Sequence, residues 1–386
     1  MVMITPHGGK LVNRIVPQQE LAEARREAQS LAKLPIDAST ASDVRNIAHG
    51  VFSPLEGFVS SEDFAAIIES NRLTSGVAWT IPIVLDISAR DSMSAGQMVC
   101  LVEEGRSDPL ALLEVEDVYC WDKQAAARAI FGTTDTQHPG VRRLYQRGDY
   151  LVGGKISLLD NDPGPYARYN LPPAETRAVF AQRGWQTICA FQTRNVPHRG
   201  HEELQKTVLG LVDGLFIQPV IGKKKTGDFR DELILETYQV LIDNYYPADR
   251  VVLNILPFEM RYAGPQEAIM HAIMRKNYGC THIIIGRDHA GVGDYYGAED
   301  AIEIFDQPQF ADLQIQPITI RGDFWYCIKC GRVASNRTCP HGEEYQISFS
   351  GTKIRQLIAA GQAPPPEVMR PEVFEVIHKS DQPFVE

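Results

Sequence analysis

The chain has 386 residues, 44% of them hydrophobic, which is enough for two or three globular domains, each with its own core. Its formal net charge is −11, which excludes a general nucleic-acid-binding surface and requires any anionic substrate to be met by locally concentrated positive charge. No apolar run approaches the length of a membrane span, no basic-then-apolar leader is visible, and the seven cysteines are an odd number. A reducing cytoplasm is therefore expected rather than a disulfide framework.

Pro6-His7-Gly8-Gly9-Lys10 is a turn-forming cluster, read as a surface turn rather than a phosphate cradle. Gln18–Leu34 is charge-rich and amphipathic, a predicted helix. Asp43–Phe64, which contains GVFSPLEGF (Gly50–Phe58), reads as a tightly packed connection with no catalytic constellation. From Trp79 to Leu159 short apolar runs alternate with turn residues: Ile81–Ile87, Met98–Val102, Leu110–Val118 and Tyr150–Leu159. That spacing predicts a β-rich module. Asp160–Pro173, rich in Asp, Asn, Gly and Pro, is a linker, and residues 1–165 are taken as the first domain.

Residues 166–320 change to strand–helix alternation. Predicted strands are Thr187–Phe191, Gly214–Ile221, Arg250–Leu256, His282–Gly286 and Leu313–Ile318. Predicted helices are Glu202–Asp213, Arg230–Tyr245, Gln266–Tyr278 and Ala298–Phe305. This pattern is that of an α/β domain, a parallel sheet covered by helices on both faces, whose ligands bind at the carboxyl ends of the strands.

Two loops expected at those ends carry the chemistry. After Thr187–Phe191 come Gln192, Thr193, Arg194, Asn195 and His198, with Pro197 ending regular structure and a helical pattern resuming beyond Gly200. A strand, a loop of donors and a helix N-terminus make an anion site. His198-Arg199-Gly200-His201 spells H-x-G-H; Gly200 lets backbone approach a phosphate, and the two imidazoles can donate to its oxygens. The second loop is Gly286-Arg287-Asp288-His289-Ala290-Gly291, roughly ninety residues later, where small residues leave room for a ligand. Between them Gly222–Asp228 holds Lys223, Lys224 and Lys225, either a solvated turn or a mobile loop bringing charge over a triphosphate. Glu259-Met260-Arg261-Tyr262 is read as a structural ion pair before a substrate contact. His271 and His282 fall within a helix and a strand and are read as structural.

QTRNVPHRGHEELQK (Gln192–Lys206) resembles the signature of the ATP sulfurylases, members of the H-x-G-H nucleotidyltransferase superfamily, and GRDHAG matches the same family in the same order. PHGGKLVNR and GVFSPLEGF are similar to its N-terminal domain. The resemblance implies a PUA-like β-rich first domain, a Rossmann-like parallel-sheet nucleotidyltransferase domain, and a small C-terminal α/β domain over residues 321–386. PUA-like barrels bind RNA elsewhere; without a basic stripe this one is expected to be structural.

The implied reaction is MgATP plus sulfate giving adenosine 5′-phosphosulfate plus pyrophosphate, by direct in-line displacement at the α-phosphorus. Sulfate is fully ionised at neutral pH and needs no general base, consistent with the absence of a nucleophile–base pair in QTRNVPHRGH. The resemblance implies that Arg194, Arg287, Gln192 and Ala290 meet sulfate. It implies that Asn195, His198 and His201 hold the ATP phosphates, and that Thr193, Gly286, Asp288 and His289 shape the pockets. Mg²⁺ is expected to arrive with the nucleotide, because no carboxylate cage is visible. A homodimer or larger homo-oligomer is expected. The competing readings are an adenylyltransferase for a phosphorylated acceptor, which lacks a use for the two arginines, and a non-catalytic nucleotide-sensing or RNA-binding relative, against which the intact motifs weigh.

In the last seventy residues, Cys327-Ile328-Lys329-Cys330 and Cys339-Pro340-His341 suit a structural Zn²⁺ site of three thiolates and an imidazole, with Glu343 or Glu344 as the alternative fourth ligand. Ser350-Gly351-Thr352-Lys353-Ile354-Arg355 enters a helix. Ser350 or Thr352 can cap it, although S-x-T-x-x-R segments touch ATP phosphates in related transferases.

Overall fold

The apolar runs between Trp79 and Leu159 do pair into a sheet, but short helices are set among the strands. The computed structural model describes residues 3–90, 93–319 and 323–385. Its chain forms two units that are interleaved in sequence: Met1–Gln182 with Phe258–Thr319, and Arg183–Pro257 with Ile320–Glu386. The boundary expected between residues 320 and 321 lies outside the described residues.

In the first unit, strands β1 (Lys33–Ile36), β2 (Gly57–Phe58), β3 (Leu85–Ile87), β4 (Met98–Glu103), β5 (Ala111–Cys120) and β6 (Tyr150–Leu158) form one sheet ordered β1-β4-β5-β6-β2, with β3 also on β6. Only β1–β4 is parallel. Gly57 is required where β2 meets β6, since a Cβ there would overlap the Gly154 carbonyl. Helices of this segment are α1 (Leu21–Ser30), α2 (Ala38–Ala48), α3 (Ser61–Ser70), α4 (Lys123–Phe131), α5 (Pro139–Gln146) and α6 (Pro173–Gln182). The region read as a connection thus holds most of α2 and the start of α3. α2 buries Thr40, Ala41, Asp43, Val44, Asn46, Ile47 and Ala48, so nearly its whole circumference is covered and no polar face marks it. Its start is nonetheless encoded: Asp37 accepts from the Thr40 amide at 2.7 Å. The PHGGK cluster is a turn with Gly8, Gly9 and Lys10 exposed, the Gly9 amide donating to the Pro6 carbonyl at 2.9 Å, but one member faces inward. His7 is buried, its amide donating to Asn277 Oδ1 (2.9 Å) and its Nε2 facing the Ala78 carbonyl (2.7 Å).

The second unit begins with β7 (Ile188–Thr193), α7 (Arg199–Leu209), β8 (Gly214–Ile221), α8 (Asp231–Tyr245), β9 (Val251–Leu253) and β10 (Leu256–Pro257). β8 lies between β7 and the β9/β10 pair, all parallel, and each of its eight positions is buried, Gln218 included, as its largely apolar run predicts. The run Arg250–Leu256 is two strands, not one. The chain then returns to the first unit as α9 (Pro265–Tyr278), β11 (His282–Ile285), α10 (Asp300–Glu303) and β12 (Gln316–Thr319), with β11 and β12 parallel. It ends in the second unit with an antiparallel sheet of β13 (Phe324–Cys327), β14 (Arg332–Ser335) and β15 (Gln346–Ser348), followed by α11 (Gly351–Ala359) and α12 (Pro371–His378), the latter packed on α8. Among the described residues no helix is long and apolar enough to cross a membrane.

Candidate active site

β7 carries Gln192 and Thr193 to its carboxyl end, and the turn that follows is built by Thr193. Its Oγ1 accepts from the Asn195 amide and donates to the Asn195 carbonyl, both at 3.2 Å. Thr193 is buried, so its part is to fix the loop. Arg194 then faces Asp228, Nη2 to Oδ2 at 3.0 Å, with both side chains about a quarter exposed. Asn195 Oδ1 accepts from Arg355 Nη1 at 3.2 Å.

His198 is the N-cap of α7. Its Nδ1 accepts from the His201 amide at 3.2 Å, which places the ring proton on Nε2 and leaves that nitrogen as a donor. The His198 and His201 rings stack at 3.7 Å, and Phe349 lies parallel to His198 on a 5.3 Å centroid separation. Gly200 is needed for this closeness: a Cβ would stand 2.9 Å from Phe349 and 3.0 Å from His198. Burial lowers the pKa of His198 far below its ordinary value, with His201 adding to the effect, and lowers that of His201 to about 4. At neutral pH both are dipolar donors rather than cations. His201 Nδ1 is buried without a hydrogen-bond partner. Glu202, one residue on, is gripped by Arg370 (2.7 and 2.9 Å) and Lys206 (2.6 Å), which anchors the start of α7.

The lysine loop is only partly a cationic flap. Lys224 is buried in a pair with Asp231 at 2.7 Å, while Lys223 and Lys225 are exposed. Residues 383–385 run along it: the Gly227 amide donates to the Val385 carbonyl and the Val385 amide to the Asp228 carbonyl, each at 2.8 Å. The chain end therefore holds the backbone that presents Asp228 to Arg194.

In the first unit, β11 leads into Gly286–Gly291. Arg287 and Asp288 are exposed; Gly286, His289 and Ala290 are half-buried. Asp288 and Ala290 have φ of 55° and 58°, as does Tyr262 at 62° in the facing turn, and the Ala290 carbonyl accepts from the Gly264 amide at 3.1 Å. Left-handed backbone at three non-glycine positions is strain that the surrounding structure must hold, and such strain gathers at functional loops. His289 Nε2 meets His271 Nδ1 at 2.9 Å. Glu259 and Arg261 are structural ion pairs as expected, with Arg143 (2.5 Å) and Asp43 (2.6 Å) respectively.

Cys327, Cys330, Cys339 and His341 converge, their ligand atoms all within 4.8 Å of one another; among the described residues no other group of His, Cys, Asp or Glu does so. Cys330 Sγ to Cys339 Sγ is 3.7 Å, and His341 Nδ1 lies 3.3–3.5 Å from the three sulfurs. Metal–sulfur bonds of ~2.3 Å and a metal–nitrogen bond of ~2.0 Å at tetrahedral angles span edges of roughly 3.5–3.8 Å, close to these four separations, so the group could hold a metal ion.

Phe349, Arg355, Asp228 and Arg370 are contacts of the H-x-G-H region that sequence reasoning missed. Their partners lie far off in the chain; Arg355 and Asp228 sat in segments already marked, S-x-T-x-x-R and Gly222–Asp228, but without these contacts. Ser350 does cap α11, accepting from the Lys353 amide at 3.3 Å.

Residues 167–380 match the family model described as ATP-sulfurylase, and residues 4–161 match the PUA-like domain. The chain belongs to the ATP-sulfurylase family. It is 51% identical over 381 residues to the sulfate adenylyltransferase of Pyrococcus abyssi, covering 99% of each chain, and 50% identical over 383 residues to that of Hyperthermus butylicus, covering 99% of this chain and 97% of that one. The ATP-sulfurylase fold also aligns with a solved hexameric APS kinase from Thiobacillus denitrificans at a TM-score of 0.78 and 24% identity, over 99% of this chain and 69% of that one. The expected α/β class with a PUA-like first domain holds.

Proposed function

We propose that the chain is a nucleotidyltransferase that transfers the adenylyl group of MgATP to sulfate, giving adenosine 5′-phosphosulfate and pyrophosphate. The observation that carries this reading is the full-length identity to sulfate adenylyltransferases, with Arg194, His198, His201 and Arg287 all present.

In this reading sulfate attacks the α-phosphorus in line, with no covalent enzyme intermediate. The barrier is electrostatic: a dianion must approach a polyanion, so catalysis rests on positioning and on donors aimed at developing charge. Arg194, Arg287, Gln192 and Ala290 are assigned to sulfate. Asn195, His198 Nε2 and His201 hold the phosphates and meet the charge growing on pyrophosphate. Arg355, fixed on Asn195, adds a guanidinium to that group. Gly286, Asp288 and His289 shape the nucleotide pocket. Mg²⁺ enters as part of MgATP and neutralises the β and γ oxygens. Seven free thiols fit a reducing cytoplasm, and a homo-oligomer is part of the same reading. The test is ATP formation from adenosine 5′-phosphosulfate and pyrophosphate by the purified chain; no ATP from folded protein would refute it.

The same proposal includes a structural Zn²⁺ on Cys327, Cys330, Cys339 and His341, with His341 rather than Glu343 or Glu344 completing the set. Around it lie few apolar side chains, chiefly Trp325, Ala334 and Tyr345, so the metal would supply much of this region's folding energy. Protein purified without chelator should contain about one zinc per chain. Cys330→Ser should lose that zinc and lower the melting temperature; no zinc in protein purified without chelator, or a variant that melts like wild type, would overturn the assignment.

A further inference from the structure

α9 places Glu267, His271 and Arg275 four residues apart on one face, and all three side chains are fully buried. Glu267 accepts from the Arg261 amide (Oε1, 2.8 Å) and the Ala263 amide (Oε2, 3.0 Å), and its Oε1 lies 3.5 Å from His271 Nε2. His271 Nδ1 then meets His289 Nε2 at 2.9 Å, the one side-chain hydrogen bond His289 makes among the described residues. A buried carboxylate, an imidazole and a second imidazole thus run in series from the helix into the GRDHAG loop.

The order of protons along this series follows from chemistry. Burial pushes the Glu267 carboxyl up, but the neighbouring His271 imidazole and the Arg261 and Ala263 amides that donate to it outweigh burial, so it is ionised and can only accept. Burial holds both imidazoles neutral, and the Arg275 charge one turn along the helix acts in the same sense. An unprotonated Nε2 on His271 would point a lone pair at a carboxylate, so the His271 proton sits on Nε2. Its Nδ1 is then an acceptor, the His289 proton must lie on Nε2 to reach it, and His289 Nδ1 is left with a lone pair.

We infer that His289 presents Nδ1 as a hydrogen-bond acceptor to the nucleoside part of the ligand, a ribose hydroxyl or the adenine amino group, and that Glu267 and His271 are positioning residues fixing that tautomer. A lone pair repels an oxyanion, so His289 is a nucleoside contact and touches neither sulfate nor pyrophosphate. This rests on the reading of Gly286–Gly291 as part of the nucleotide pocket.

The experiment uses full-length protein labelled with ¹⁵N-histidine. Long-range ¹H–¹⁵N spectra should show His289 with Nε2 protonated and Nδ1 bare, and adenosine 5′-phosphosulfate should shift Nδ1 while sulfate plus pyrophosphate leaves it in place. His289→Ala should raise the KM for ATP about tenfold, the loss of one hydrogen bond, and move the KM for sulfate less than twofold. Inosine triphosphate, 2′-deoxy-ATP and 3′-deoxy-ATP separate the two sources: the analogue lacking the donor should show no further loss on His289→Ala. His271→Gln should mix the His289 tautomers and raise the KM for ATP with kcat retained; if it fails to fold, the wild-type spectra still decide. A protonated Nδ1, or a response to sulfate instead of nucleoside, in an enzyme that interconverts ATP and adenosine 5′-phosphosulfate overturns the inference alone. A folded chain with no such interconversion overturns the nucleotide-pocket reading instead.

Discussion

Arg194→Lys should lower kcat/KM for sulfate by about a hundredfold while leaving the melting temperature within a degree or two of wild type. A guanidinium offers two parallel donors to one oxyanion, whereas an ammonium is a single point charge on a flexible stem. Losing two charge-assisted hydrogen bonds of ~1.5 kcal/mol each corresponds to that factor. The fold should survive because Arg194 contacts Asp228 at 3.0 Å near the surface, and an exposed pair of this kind contributes little stability. The same contact supplies a control. Asp228 holds the guanidinium that sulfate is proposed to use, so Asp228→Asn should lower the KM for sulfate several-fold with ATP kinetics unmoved. Steady-state kinetics in both substrates check the pair. Unchanged sulfate kinetics in Arg194→Lys would remove Arg194 from the sulfate site.

Much of the strand–helix alternation was legible because its local signals agree with its tertiary structure. Gly214–Ile221 reads as a buried strand from its apolar run and is one, end to end; Arg230–Tyr245 and Gln266–Tyr278 are helices within one residue of their expected starts. The helix over Glu202–Asp213 begins three residues earlier, at Arg199, because His198 caps it. Histidine is outside the usual Ser, Thr, Asp and Asn signals, so the helix that the H-x-G-H precedes was expected to resume only beyond Gly200. α2 was missed although Ala41, Val44, Ile47 and Ala48 recur at helical spacing behind the Asp37 cap, because that stripe is short and half of it is alanine.

The site divides in the same way. The residues proposed to bear the chemistry stood out in QTRN, H-x-G-H and GRDHAG, since each is a run of polar groups and glycines after an apolar strand. How those groups are held was not visible. Glu202 is anchored by Arg370 and His289 by His271, across 168 and 18 residues respectively, and neither contact leaves a local pattern. Nor could composition show that Lys224 is consumed by Asp231 while its two neighbours stay exposed. The cysteine spacing was a stronger guide, because C-x-x-C itself dictates a knuckle.

His198→Ala and His201→Ala should each lower turnover by roughly a hundred- to a thousandfold, the effect of removing one preorganised donor from developing negative charge. The two should differ in stability. His198 also caps α7 through Nδ1, so His198→Ala should lose about 1 kcal/mol of folding free energy as well. Asparagine is among the best N-caps but cannot place a donor where Nε2 stands. His198→Asn should therefore recover the stability and not the turnover, which separates the two roles of one ring. His201 makes no cap, and its buried Nδ1 lacks a protein partner in the ligand-free chain. Removing that orphaned polar atom offsets part of the packing lost against His198 and Phe191, so His201→Ala should melt closer to wild type than His198→Ala does. Thermal melts followed by circular dichroism, with kcat for adenosine 5′-phosphosulfate pyrophosphorolysis on the same samples, check both halves. Near-normal turnover in the two alanine variants would remove the H-x-G-H imidazoles from the chemistry; full turnover recovered by His198→Asn would leave His198 only its cap.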